Sequence, residues 1–101
     1  MNDRSRLYYE GHITLAPVSG DQLALLNSIS AQYNMRVSTF LMVKPGEEPD
    51  AFTSLRDESY ASIVVRMHEA IKHLEKYSFF VIKRVKIEDT ILDTKQGDAR
   101  P

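Results

Sequence analysis

The spacing of apolar residues in this chain changes from segment to segment, and the order of those changes admits few folds. Residues Leu7 to Ala16, LYYEGHITLA, alternate: Leu7, Tyr9, Gly11, Ile13 and Leu15 share one side, and Tyr8, Glu10, His12 and Thr14 the other. That is the period of a strand, and Pro17 closes it. Ser19-Gly20-Asp21-Gln22 has the form of a capping box, in which the Ser19 hydroxyl accepts from the Gln22 N–H and the Gln22 amide reaches back. Asp21 adds negative charge at the positive end of the helix dipole. Leu23, Leu26, Ile29 and Tyr33 then recur at helical spacing, and Asn34 suits the left-handed residue that closes such a helix.

The second half repeats the theme. Arg36 to Lys44, RVSTFLMVK, predicts a strand, and Pro45-Gly46 suits the centre of a type II turn. Ala51 to Arg56, AFTSLR, predicts a short strand completing a hairpin. Asp57 or Ser59 can cap the next helix, in which Tyr60, Ile63, Val64, Met67, Ile71, Leu74 and Tyr77 mark one buried face. Phe79 to Glu88, FFVIKRVKIE, predicts the last strand. The order β-α-β-β-α-β predicts an α+β, ferredoxin-like fold: a four-stranded antiparallel sheet with two helices on one face. Right-handed crossovers favour the strand order 4-1-3-2. An open meander with helices on both faces is the alternative. The 101 residues are expected to form one domain, ordered over residues 7–92, with a polar tail at 93–101.

Composition narrows the function. Apolar residues make up 43% and charged residues 27%, which suits a folded globular chain. The net charge of −1 supplies no global field for nucleic acid, so nucleic acid is not an expected partner. Cysteine is absent, which removes disulfides, thiolate chemistry and cysteine zinc sites. No metal site and no cofactor are expected. The polar N-terminus does not read as a signal peptide, and no apolar run is long enough to span a bilayer, so the expected location is the cytoplasm and no membrane partner is expected.

Strand parity states what each face of the sheet would carry. Gly11, Ile13, Leu15, Val37, Leu41, Val43, Val81, Val85 and Ile87 are expected to point at the helices. The open face would carry Tyr8, Glu10, His12, Thr14, Arg36, Ser38, Phe40, Met42, Phe80, Ile82, Arg84, Lys86 and Glu88. Lys83 falls on the apolar side and is expected to snorkel at an edge. Tyr8, Phe40, Met42, Phe80 and Ile82 would form an apolar patch for homo-oligomerisation or a protein partner. Glu10 and His12 would form a charged ladder with Arg84 and Lys86.

Gly11-His12-Ile13-Thr14-Leu15 places His12 and Thr14 on one face of a strand. A neutral imidazole can take a proton from an attacking hydroxyl and a protonated one can supply the leaving group. At residues 8–33 the chain resembles one lobe of the two-histidine, 2′–5′ RNA ligase-like phosphoesterases, in which His-x-Thr-Leu runs into a loop and helix, as GHITLAPVSGDQLALLNSI does here. The resemblance implies phosphate chemistry at His12 and Thr14. Members carry two such motifs facing across a cleft, whereas this chain has one; His68 and His73 have no threonine two positions on. Two function classes therefore stand. One is a binding or oligomerisation module taking a small anionic ligand, a nucleotide or phosphate, through Glu10, Arg84 and Lys86 on the open face. The other is a phosphodiesterase-like enzyme with His12 and Thr14 as catalytic residues, paired face to face across a homodimer.

Overall fold

The structure, a computed structural model, describes residues 6–39, 46 and 48–92. The elements follow as β1 (Arg6–Leu15), α1 (Gly20–Gln32), β2 (Arg36–Thr39), β3 (Ala51–Asp57), α2 (Tyr60–Leu74) and β4 (Ile82–Leu92). They form one antiparallel sheet in the order β2-β3-β1-β4, which is the ferredoxin-like arrangement expected. The second strand beyond Thr39, with Phe40, Leu41, Met42 and Val43, lies outside the described residues. So does the polar tail.

The capping box starts α1 as its residues dictate. The Gln22 N–H donates to Ser19 Oγ at 3.3 Å and the Ser19 N–H to Gln22 Oε1 at 3.0 Å. Asn34 closes the helix at φ 58°, and Gly46 takes φ 89° in the turn, the sign a type II turn requires there. Both helices cover one face of the sheet. Leu26 and Ile29 from α1 meet Ile63, Met67, Ala70 and Leu74 from α2 over Ile13, Leu15, Ala51 and Leu55.

The buried stripe of α2 differs from the expected one. Tyr60 is 55% and Val64 38% exposed, and Ile71 is only partly buried against the core. Gly11 explains the rotation. A Cβ built on it would lie 2.5 Å from Met67 Sδ and 3.1 Å from Met67 Cγ. The missing side chain lets α2 sit directly on β1 at Met67, and the stripe passes through residues 63, 67, 70 and 74. Tyr60 instead rests edge-on against Tyr9, ring centroids 5.4 Å apart.

β4 also departs from its expected parity. Gly11 faces Ile87 and Ile13 faces Val85, but past Thr14–Arg84 the register shifts and Leu15 faces Ile82. Lys83 is the extra residue of a β-bulge, and a bulge moves everything beyond it to the opposite face. Phe80 (5% exposed) and Ile82 therefore join the core, not the open face, and Val81 is half exposed. Phe80 packs edge-on against Phe79 and Tyr77, centroids 4.8 and 5.8 Å away, beyond the end of α2 and before β4 begins. Lys83 stands half exposed on this edge strand, and its Nζ binds the Asp50 carboxylate at 3.0 Å.

A polar clamp holds the start of α2. The Asp57 carboxylate accepts the Ser59 N–H at 2.9 Å and the Ser62 hydroxyl, and Arg66 Nη1 donates to it at 3.1 Å. Arg66 also donates to the Arg56 and Tyr33 carbonyls at 2.9 and 3.0 Å. One guanidinium thus ties α2 to the end of β3 and the end of α1. The Ser62 hydrogen bond, then the Ser59 N–H and Arg66, hold the Asp57 carboxyl below its ordinary range against the opposing effect of burial.

Candidate functional site

The open face of the sheet can be read as rows across the strands. His12 stands between Ser54 and Lys86, with Arg36 beyond Ser54. Glu10 stands between Arg56 and Glu88, and Thr14 between Phe52 and Arg84. All five residues singled out from the sequence, Glu10, His12, Thr14, Arg84 and Lys86, therefore share this face. The ladder among them differs from the expected one. Glu10 faces Glu88, and no ion pair joins Glu10 or His12 to Arg84 or Lys86 among the described residues.

His12 sits half exposed between two carboxylates. Its Nε2 is 3.5 Å from Glu10 Oε1 and 3.9 Å from Glu88 Oε2, separations of charge contact longer than a good hydrogen bond. Each carboxylate also has a cation of its own. Arg56 Nη2 is 3.5 Å from Glu10 Oε2 and Lys86 Nζ 3.1 Å from Glu88 Oε2. The Lys86 hydrogen bond, more than the charges of His12 and Arg84, holds the Glu88 carboxyl below its ordinary value. The Arg56 guanidinium lies over the Tyr8 ring, 4.5 Å from its centroid, a cation–π contact that fixes both side chains.

Arg36 and Arg84 have no ion pair or side-chain hydrogen bond among the described residues. Among the described residues the face carries Arg36, Arg56, Arg84 and Lys86 against Glu10 and Glu88, four cations less two carboxylates, an excess of two positive charges. A hollow of about 310 Å³ opens beside this array, lined by Glu10, Asn34, Arg36, Ser54, Leu55 and Arg56. Sequence reasoning named Arg36 only by parity and did not place Arg56 or Ser54 here. The alternation of Phe52, Ser54 and Arg56 in AFTSLR was the available signal.

The expected apolar patch is not assembled by the described residues. Phe80 and Ile82 are in the core, Phe40 and Met42 lie outside the described residues, and Tyr8 is occupied by Arg56. The other histidines sit on α2, in the other layer. His73 Nδ1 is 3.0 Å from the Tyr33 hydroxyl, and His68, Lys72 and Lys76 line a separate hollow of about 340 Å³. Among the described residues no group of His, Asp and Glu could hold a metal ion, and no helix is long and apolar enough to cross a membrane.

No protein-family model matches the chain and no curated protein matches it, so the phosphoesterase resemblance rests on the residues of β1 and α1 alone. Among solved structures the chain is similar to a de novo designed protein, Foldit4, at 12% identity and TM-score 0.52, over 83% of this chain and 94% of that one. That likeness concerns the fold. A dimeric protein of unknown function and ferredoxin-like fold from Bacteroides fragilis matches at 16% identity, over 82% of this chain and 95% of that one. Its TM-score of 0.38 is too low to bear on this chain.

Proposed function

We propose that this chain is a small binding module that takes an anion of the phosphate class on its open sheet face. The observation that carries the reading is the pair Arg36 and Arg84. Neither makes an ion pair or side-chain hydrogen bond among the described residues, and they lie on opposite sides of the His12–Thr14 strand, on a face whose described residues carry two positive charges in excess. Guanidinium groups bind phosphate oxygens through paired, charge-assisted hydrogen bonds. The Thr14 and Ser54 hydroxyls and the His12 imidazole between them add donors on the same face. Glu10 and Glu88 repel an anion and serve to hold Arg56, Lys86 and His12 in place.

The experiment is an amide-resolved NMR titration with inorganic phosphate and with a 2′,3′-cyclic nucleotide. Shifts concentrated in β1, β3 and β4, lost in Arg84→Ala and weakened in Arg36→Ala, are the expected result. No shift at the highest soluble ligand concentration refutes the reading. The catalytic alternative rests on His12 and Thr14 sharing this face, as the phosphoesterase resemblance implies. It needs a second histidine from another chain, because His68 and His73 are on α2. Phosphorus NMR of the same cyclic nucleotide separates the two. Turnover abolished by His12→Ala favours the enzyme, and binding without turnover favours the module.

A further inference from the structure

We infer that β4 is the surface through which two copies of this chain associate, edge to edge and antiparallel, continuing one sheet into the other. β4 is an outer strand of the sheet, paired on one side with β1, and among the described residues nothing pairs with its other side. It runs for 11 residues, against 4 described for the opposite edge, β2. A long edge with its N–H and C=O groups free is a template for another strand, and proteins commonly guard such edges with lysines.

The charges of β4 are not spread as guards would be. Lys83, Arg84 and Lys86 occupy the first half, and Glu88 and Asp89 the second. A parallel neighbour of the same sequence would face like with like. An antiparallel copy brings the basic half of each strand against the acidic half of the other. A two-fold axis through Ile87, the middle residue of Ile82–Leu92, aligns the whole strand. It then sets Lys86 opposite Glu88 of the second copy, twice, and Arg84 diagonal to that same Glu88. Arg84 makes no ion pair or side-chain hydrogen bond among the described residues of its own chain, and its charge reaches Glu88 there only at longer range. On the helix side the axis sets Ile87 against its own copy and brings Val85, 47% exposed in the single chain, diagonal to it.

This dimer has a consequence for the open face. Three interstrand steps separate the two copies of β1, so the two His12 residues stand at least about 14 Å apart. That is too far to hold one phosphodiester between them, and in the dimer Arg84, which the anion reading also uses, lies beside Glu88 of the second copy.

The test is sedimentation equilibrium with charge swaps. Lys86→Glu alone, or Glu88→Lys alone, sets like charges opposite each other twice and is expected to weaken association by roughly tenfold or more. The double swap Lys86→Glu with Glu88→Lys restores the pairing and should return the affinity to within roughly threefold of the parent. Circular dichroism on each variant confirms that the fold is kept, and the recovering double variant guards against a merely misfolded single one. A parent that sediments as a monomer at every concentration overturns the inference. So does a dimer whose affinity ignores the single swaps, or one that the double swap fails to restore.

Discussion

Gly11→Ala is the sharpest test of how α2 is seated. In an ordinary strand interior, alanine is more stable than glycine by about 0.5–1 kcal/mol, because glycine loses more backbone freedom on folding. Here the new Cβ would lie 2.5 Å from Met67 Sδ, and Met67 is 2% exposed, enclosed by the core. Overpacking of this kind costs about 1–3 kcal/mol. The clash is the larger effect, and the net loss is about 0–2.5 kcal/mol. Met67→Ala alone opens a cavity and costs about 2–5 kcal/mol. It also removes the clashing atoms, so in that background Gly11→Ala should reverse sign and stabilise by about 0.5–1 kcal/mol. The four proteins form a double-mutant cycle with an expected coupling of about 1–3 kcal/mol. Urea melts at a common slope read it directly. A Gly11→Ala effect of the same sign and size in both backgrounds would refute the account of α2 packing on β1.

Three further outcomes follow from named contacts. Ile63→Ala should cost about 2–5 kcal/mol while Val64→Ala costs well under half of that, measured by the same melts, because only Ile63 is fully buried. Thr53→Val should raise stability by about 1 kcal/mol, since the Thr53 hydroxyl is buried with no hydrogen-bond partner among the described residues and valine keeps its shape; a loss in thermal melting would show that the hydroxyl is satisfied. Asp57 titrates below its ordinary 3.8, so as pH falls the unfolded chain takes up that proton first. Its stabilising contribution is complete above that value and is lost as pH falls through the lower, folded-state pKa. Asp57→Asn should flatten this acid limb of the stability–pH curve, and an unchanged limb would remove Asp57 as its source.

The parts of the fold legible in the sequence were those set by neighbours along the chain. The alternation of Leu7 to Ala16, the Ser19–Gln22 box and the left-handed Asn34 each depend on a few adjacent residues, and the structure has all of them. The open-face placement of Glu10, His12, Thr14, Arg84 and Lys86 was legible for the same reason, because all of them precede or follow the bulge on its regular side. What failed depends on two strands meeting. Nothing local to FFVIKRVKIE says that one residue of it will go unmatched against β1; the misplaced Lys83 was the trace of it. The face of α2 likewise depends on Gly11, some fifty residues earlier, leaving room for Met67. Arg56 reaches the face only through the pairing of β3 with β1, which sets it beside Glu10.

The register of β1 with β4 begins with Arg6 against Leu92 and ends with Leu15 against Ile82. The two ends of the described sheet therefore leave side by side, from the same end of one antiparallel pair. Tension applied between them acts at a single rung, and the ladder opens bond after bond from Leu92 inward, like a zipper. It does not shear all its hydrogen bonds at once. A chain pulled at these two ends should yield at low force, and the opening reaches the Lys83 bulge, with the Asp50 carboxylate that holds it, only at the last rungs of the ladder.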